Sequence, residues 1–327
     1  MTLDEIAREL GYSKSTVSRA LSGKGRISKE TTEIIRNFVN NQENEQKEIK
    51  DCTHNIGVVL PADIYFGGGD FFHNCLFGIC EAASMFGYNV LITIRKQHSI
   101  SELQTLVENQ RVDGIIITRG LEEDVALKYL TDIKFPTALT GTCDYDEVIQ
   151  VDTDNEGAAE RLITMLIGRG FTKFAFLAKD MHFIADKKRY DGFCKALLKN
   201  GIQQQNQLFS VDSAKLEFLD SIVTNLIAEK IQCVICGDDE ICTMIMSKLQ
   251  SEGYRIPKDI AVASLYNSSN LECFSPAVTA INVPAAQMGN MACKQLILKL
   301  MNKEYRSRTT VDYDILFRKS TNLDSKY

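Results

Sequence analysis

The chain has 327 residues, 44% of them apolar and 24% charged, with a net charge of −6. That length exceeds what one hydrophobic core organises, so two or three domains are expected, and the composition excludes a collagen, a coiled-coil rod and a wholly disordered chain. No apolar run reaches the roughly 18 residues of a membrane helix, MTLDEIAREL does not read as a signal peptide, and ten scattered cysteines without an export signal read as reduced thiols, so a cytoplasmic protein is expected.

The charge is unevenly spread. Residues 1–40 hold seven Lys/Arg against five Asp/Glu, a local +2, which leaves −8 for the remainder. Between residues 11 and 29 stand Lys14, Arg19, Lys24, Arg26 and Lys29 with no acid at all. A small basic head on an acidic body predicts two functions in series.

Thr2-Leu3-Asp4-Glu5 predicts a capping box, with Leu3, Ile6, Ala7 and Leu10 marking the buried face of a first helix. Gly11 ends it, and Ser13 caps a second helix over about Lys14–Leu21 with Val17, Ala20 and Leu21 inward. A third helix, capped by Ser28, carries Ile34, Ile35 and Phe38. The outward face of the second helix collects Lys14, Ser15, Thr16, Ser18 and Arg19. A merely solvated face would mix in acids; hydroxyls and cations at a helix N-terminus suit phosphates and base edges of the major groove.

The runs Leu3-Asp4-Glu5-Ile6-Ala7-Arg8, Ser13-Lys14-Ser15-Thr16-Val17-Ser18-Arg19-Ala20-Leu21-Ser22-Gly23 and Arg26-Ile27-Ser28-Lys29-Glu30-Thr31 resemble the headpiece of LacI/GalR family bacterial transcriptional regulators. The resemblance implies that Lys14, Ser15 and Arg19 reach bases, while Thr2, Ser13, Thr16 and Ser18 hold phosphates. Arg19 and Lys14 suit guanine O6 and N7, whereas Ser15 discriminates weakly.

The joint departs from that family. Relatives carry a short hinge helix whose Leu wedges into the minor groove. Here residues 40–50 read NNQENEQKEIK, without Pro, an Ala-rich patch or a suitable Leu. Glu43, Glu45 and Glu48 repel phosphates, and Ile49 is the one apolar candidate wedge. A tether, or a continuation of the third helix, is expected in place of an intercalating hinge.

From Asn55 onward, apolar runs alternate with helical stretches. Strands are predicted at Ile56–Leu60, Asn89–Ile94, Gly114–Thr118, Thr137–Thr140 and Val148–Val151, then at Phe174–Ala178, Leu208–Val211, Cys233–Cys236, Ile260–Leu265 and Val278–Ile281. Helices are predicted near Phe71–Phe86, Ser101–Gln110, Asn155–Gly168, Lys187–Lys199, Lys215–Glu229, Glu240–Glu252 and Ala285–Met301. Apolar strands separated by helices predict parallel sheets covered on both faces, in two doubly wound lobes with ligands at the C-terminal strand ends. The fold class is thus an all-α helix-turn-helix headpiece on an α/β body. The boundaries are 1–40 for the headpiece, 41–54 for the linker and 55–327 for the body, with one lobe at 55–152 and 284–304 and the other at 153–283 and 305–327.

Ile56-Gly57-Val58-Val59-Leu60-Pro61, Arg111-Val112-Asp113-Gly114, Arg189 with Gly192-Phe193, and Ile256-Pro257 with Asp259-Ile260-Ala261-Val262 make this body similar to the LacI/GalR effector domain, itself similar to periplasmic sugar-binding proteins. That resemblance implies an effector between the lobes, contacted by Phe72, Arg189 and Asp238/Asp239. An Arg offers a rigid fork to hydroxyls or carboxylates, and Asp accepts from vicinal hydroxyls. A recurrent ligand carboxylate becomes Tyr266 here. The chain has no Trp, so Phe71, Phe72, Phe183, Tyr190 and Tyr266 are the aromatic platforms left.

Other signals carry less. Gly67-Gly68-Gly69 lacks the Gly-Lys-Ser/Thr of a P-loop and reads as a cleft-edge loop. Cys233 and Cys236 sit on a predicted strand, where i and i+3 face opposite sides. His54, His73, His98 and His182 are unclustered, and the acids at 238–240 suit a helix N-terminus, so no metal is predicted. Without a Gly-x-Ser-x-Gly, a cofactor loop or a metal constellation, neither an enzyme nor a cofactor is expected. The expected protein is a repressor that binds double-stranded DNA at a palindromic operator as a homodimer, away from membranes. It is controlled by a small-molecule effector, a sugar or related metabolite. The alternative is a sensing module whose DNA binding is weakened by the missing hinge helix.

Overall fold

Thr2 and Glu5 close the reciprocal cap that their spacing predicts. The Thr2 backbone N–H donates to Glu5 Oε2 at 2.7 Å, and the Glu5 N–H donates to Thr2 Oγ1 at 3.4 Å. The computed structural model describes residues 2–23, 25, 27–39, 52–63, 70–96, 99–202, 208–210 and 217–323. The expectations for the 41–54 linker, the glycine loop at 67–69, Lys24, Arg26 and His98 lie wholly or largely outside the described residues. The chain divides into two units, Met1–Thr53 and His54–Tyr327.

The first unit holds α1 (Leu3–Leu10), α2 (Lys14–Ser22) and α3 (29–39). Gly11 adopts φ 70°, a left-handed turn that returns the Tyr12 N–H to Ala7 O at 3.0 Å. Ser13 caps α2, and Ser28 Oγ accepts from the Thr31 N–H at 3.0 Å to cap α3. Ile6, Ala7, Val17, Ala20 and Ile35 form the core, flanked by Leu10, Tyr12, Leu21, Ile27, Phe38 and Val39. Two expected core residues lie outside it: Leu3 is 36% exposed and Ile34 is 43% exposed. Successive helical residues turn by about 100°, so Ile34 cannot share the inward direction taken by Ile35 in so thin a unit.

In the second unit the first lobe runs β1 (Asn55–Pro61), α4 (Asp70–Met85), β2 (Asn89–Arg95), α5 (Ser101–Glu108), β3 (Gly114–Ile117), α6 (Val125–Asp132), β4 (Thr137–Thr140) and β5 (Ile149–Thr153). The second lobe runs α7 (Asn155–Gly168), β6 (Phe174–Ala178), α8 (Ile184–Lys199), β7 (Leu208–Ser210), α9 (Glu217–Ala228), β8 (Cys233–Cys236), α10 (Asp239–Ser251), β9 (Ala261–Ser264), α11 (Ser269–Cys273) and β10 (Thr279–Asn282). The chain then returns through α12 (Ala285–Leu300), β11 (Arg308–Val311) and β12 (Asp314–Leu316).

The two sheets have orders β11-β5-β4-β3-β1-β2 and β12-β10-β9-β8-β6-β7. Strands β3, β4 and β8 are buried along their whole length, because helices cover both faces. One core gathers Val59, Leu103, Ile115, Ile117, Leu127 and Leu139; the other gathers Leu177, Val234, Ile245, Leu249 and Val262. Three features differ from expectation. Helices α6 and α11 and strands β11 and β12 go unpredicted, and α8 begins at Ile184. Strand β12 runs antiparallel to β10, so the second sheet is not wholly parallel. Strand β11 pairs with β5, which puts residues 308–311 in the first lobe and moves the last crossing from 304 to between Val311 and Asp314.

Candidate functional site

On the first unit, Lys14, Ser15, Ser18 and Arg19 are exposed along one side of α2, and Thr16 is half-buried. The Ser13 hydroxyl accepts from the Thr16 N–H at 3.2 Å and lies 2.9 Å from Ser15 Oγ and 2.8 Å from Thr16 Oγ1. Thr2 is likewise committed to the cap of α1. Lys14 Nζ rests on Asp4 Oδ2 at 2.6 Å, but both side chains are more than half exposed, so the pair is weak and easily exchanged. The Arg19 stem lies over Gly25, where a Cβ would come within 3.2 Å of Arg19 Cδ. Helix α2 thus carries two cations, Lys14 and Arg19, and the hydroxyls of Ser15, Thr16 and Ser18 beside its Ser13 cap, with no acid in the helix itself.

In the second unit a cavity of about 130 Å3 lies between the lobes, at the C-terminal ends of the strands. Phe71 and Phe72 enter from the start of α4, Arg119 follows β3, and Asp152 ends β5. From the second lobe come Lys179 after β6, Arg189 on α8, Asp238, Asp239 and Glu240 at the start of α10, and Tyr266 after β9. Thus Phe71, Phe72, Arg189, Asp238, Asp239 and Tyr266 all meet at one cavity. Tyr190 does not: its ring packs 5.3 Å from Phe176 and 6.1 Å from Phe193, inside the second lobe.

Each cation in the cavity is already engaged. Arg119 donates to both Asp63 oxygens at 2.8 Å, and its guanidinium carbon stands 4.8 Å from the Phe72 ring centroid and 4.3 Å from that of Phe183. Lys179 Nζ sits 2.6 Å from Glu240 and 3.5 Å from Asp63. Arg189 donates from Nε to Asn155 Oδ1 at 3.0 Å and from Nη1 to Gly237 O at 2.8 Å, with Asp186 at 3.7 Å. Asn155 in turn donates to Asp152 at 3.0 Å, so one hydrogen-bonded row runs along the cavity floor.

The carboxylates are less evenly matched. Asp238 caps α10 by accepting from the Ile241 N–H at 2.8 Å. Burial, together with the charge of Asp238, pushes Asp239 up to about 6. The same two causes raise Asp186 to about 6. Burial raises the Tyr266 phenol, and the neighbouring Asp239 and Asp70 charges add to it. Asp63 goes the other way: burial raises it, but the Arg119 charge and hydrogen bonds outweigh that and hold it low.

The rim ties the lobes together. Leu121 and Phe183 form an antiparallel bridge, with the Glu122 N–H on His182 O at 2.9 Å and the Ile184 N–H on Gly120 O at 3.2 Å. Lys187 pairs with Glu122, and Lys188 Nζ reaches Thr142 Oγ1 at 2.5 Å. Sequence reasoning missed Arg119, Lys179, Asp63 and Asp186. The signal for the first three is their place just beyond a strand end in a doubly wound lobe. Among the described residues no cluster of His, Cys, Asp and Glu is arranged to hold a metal ion, and no helix is long and apolar enough to cross a membrane.

A model of bacterial regulatory proteins of the lacI family matches residues 2–43, and a periplasmic binding protein-like domain matches residues 163–321. The HTH-type transcriptional regulator RegA of Clostridium saccharobutylicum is 25% identical, over 98% of this chain and 99% of that protein. Catabolite control protein A of Priestia megaterium is 25% identical over the same shares. Among solved structures, a complex of the transcriptional regulator CelR with cellobiose superposes at a TM-score of 0.74, with 22% identity over 98% of this chain and 99% of that one. A probable maltose operon transcriptional repressor MalR from Staphylococcus aureus gives 0.75, with 25% identity over 84% and 99%. Headpiece, two-lobed body and relatives along the whole length agree: the chain belongs to the LacI/GalR family of DNA-binding, ligand-sensing transcriptional regulators.

Proposed function

We propose that the protein is a cytoplasmic, homodimeric repressor that reads a palindromic operator through its first unit and responds to a small polar effector held between the lobes of its second. The observation that carries this reading is the meeting of Phe71, Phe72, Arg189, Asp238, Asp239 and Tyr266 at one interlobe cavity. Its size, about 130 Å3, holds on the order of ten water-sized groups, the scale of a monosaccharide or related metabolite. Aromatic faces receive the apolar side of such a ligand, while Arg189 and the carboxylates bind its hydroxyls. Cellobiose in the CelR complex supports a sugar-like ligand. In the first unit, Lys14, Ser15 and Arg19 read bases, and Thr2, Ser13, Thr16 and Ser18 position phosphates.

Residues 1–40 serve as headpiece, 41–54 as linker and 55–327 as effector and dimerisation body. Dimerisation is assigned to α4. Its inner side is buried through Cys75, Ile79, Ala82 and Ala83, whereas its outer side carries Phe77 at 73% exposure and Met85 at 77%. Large exposed apolar side chains on one helical stripe mark a surface for a second copy, and a two-fold pair of headpieces matches two half-sites.

Selection of random DNA duplexes by the full-length protein at stated salt tests the whole reading. A palindromic consensus is expected. No enrichment by a protein that still binds a ligand would replace the repressor with a sensing module of weakened DNA affinity.

A further inference from the structure

Two acids at one end of the interlobe cavity, Asp70 and Asp239, stand without a paired cation among the described residues, and Asp238 has only the more distant charge of Lys179. Among the described residues no Lys or Arg nitrogen is paired with Asp70, Asp238 or Asp239, whereas the cavity's cations are taken by Asp63, Glu240, Asn155 and the Gly237 carbonyl. Asp70 and Asp239 lie close enough to repel each other and the Tyr266 oxygen. Beside them opens a polar side chamber lined by Asp70, Asn74, Tyr266, Asn267, Ser268 and Ser269, sharing its Tyr266 wall with the main cavity. Ser268 is only 4% exposed, and its hydroxyl, next to Asp239, closes no hydrogen bond of normal geometry. A buried hydroxyl whose only neighbour is the Asp239 carboxylate at poor geometry, beside two carboxylates paired with no described Lys or Arg, describes a place shaped for a donor that carries positive charge.

We propose that the effector is a cationic polyol, a small hydroxylated molecule with a primary ammonium group seated between Asp239 and Asp70 and hydrogen-bonded by Ser268. This inference rests on reading the interlobe cavity as the effector site and adds the chemical class of its ligand. The ammonium supplies three donors, which matches the two carboxylates and the open Ser268 oxygen. Phe71, with its ring 5.8 Å from that of Tyr266, offers the aromatic wall that a cation favours. The hydroxyls of the same ligand lie toward Arg189 and Asn155. A carboxylate-bearing ligand meets repulsion here, and a neutral sugar offers Asp70 and Asp239 hydroxyl donors but no positive charge.

The test uses the full-length protein and sets of three sugars on one carbon skeleton: glucose, glucosamine and glucuronate, with the corresponding galactose and mannose sets. Thermal shift at about pH 7 and about 10 mM ligand ranks them, and titration calorimetry then gives affinities. Within the set that binds, the amino sugar is expected to bind roughly tenfold or more tighter than the neutral one, and the acid least. D70N should remove most of that amine preference while keeping the affinity for the neutral sugar, and D239N, which also loses a hydroxyl acceptor of the main cavity, should weaken both ligands and the amine more. A neutral or acidic member that binds as tightly as its amine overturns the proposal and leaves the effector cavity standing. No binding by any member overturns both.

Discussion

Gly78 of α4 and Gly289 of α12 lie at the crossing of the two helices, each turned toward the other helix's backbone. A Cβ on Gly78 would fall 1.8 Å from Ala286 O, and one on Gly289 would fall 2.1 Å from Cys75 O. Backbone cannot yield as a flexible side chain does, so even alanine at either position forces the helices apart. Gly78→Ala and Gly289→Ala are each expected to cost about 3 kcal/mol or more, although alanine in an exposed helix stabilises. Urea unfolding reads this directly. A variant as stable as the natural protein would contradict the packing described for the first lobe.

The raised carboxyls make a second expectation with a definite sign. Asp239 has an ordinary value of 3.8 and stands at about 6 in the folded protein. Between those values the folded state holds the extra proton, so stability from this group is present at low pH and falls as pH rises from about 4 to about 6. Asp239→Asn removes that loss. The variant should match the natural protein near pH 4 and exceed it near pH 7 by on the order of 2 kcal/mol. Unfolding curves across that range decide it, and a difference that does not change with pH rules out Asp239 as the source.

Two arginines separate the two activities. Arg19→Ala should relax base discrimination at one operator position by about 1–3 kcal/mol and leave effector affinity unchanged. Arg189→Ala should strip effector binding through its lost bonds to Asn155 and Gly237 and leave operator affinity without effector intact. Fluorescence anisotropy on labelled operator and calorimetry on effector give the two readouts. Loss of both activities from either substitution, in a folded protein, would undo the assignment of one task to each unit.

The outer stripe of α4 makes the fourth prediction. Phe77→Asp puts a charge on a helix face away from the lobe core, so the melting temperature of the subunit should move little. Sedimentation should nevertheless show monomers, with operator affinity reduced by orders of magnitude because the half-sites no longer act together. A dimer that survives this substitution places the interface elsewhere.

Much of this was legible in residues alone. The Thr2/Glu5 cap, the turn at Gly11 and the Ser13 cap follow from local chemistry, and β4, β6 and β8 occupy the residues their apolar runs predict. What escaped is short, polar or set by distant contacts. Strand β11 reads RTTV and β12 reads DIL, so neither shows an apolar run; each is a strand because a sheet edge awaits it. Helix α6 has only eight residues; its Asp124 cap, which accepts from the Ala126 and Leu127 N–H groups, is a local signal that sequence reasoning missed, whereas the Arg95 that holds Asp124 at 2.6 Å comes from another strand end. The cleft residues carried by the family pattern converge. Arg119 and Lys179 belong to no quoted motif and become visible only once the strand ends are brought together.

The chain passes between the lobes three times, from Thr153 to Asn155, from Asn282 to Ala285 and from Val311 to Asp314. Each passage has one or two residues to spare, and a residue reaches at most about 3.6 Å. Three such short straps prevent the lobes from sliding or drawing apart and leave them a swivel about the line the straps define. Thr153, Asn155 and Val283 stand at two of these straps and also border the cavity. A ligand therefore pushes close to the pivot, as a hand does on the short arm of a lever. A displacement of a fraction of an ångström there becomes a larger sweep at the far ends of both lobes.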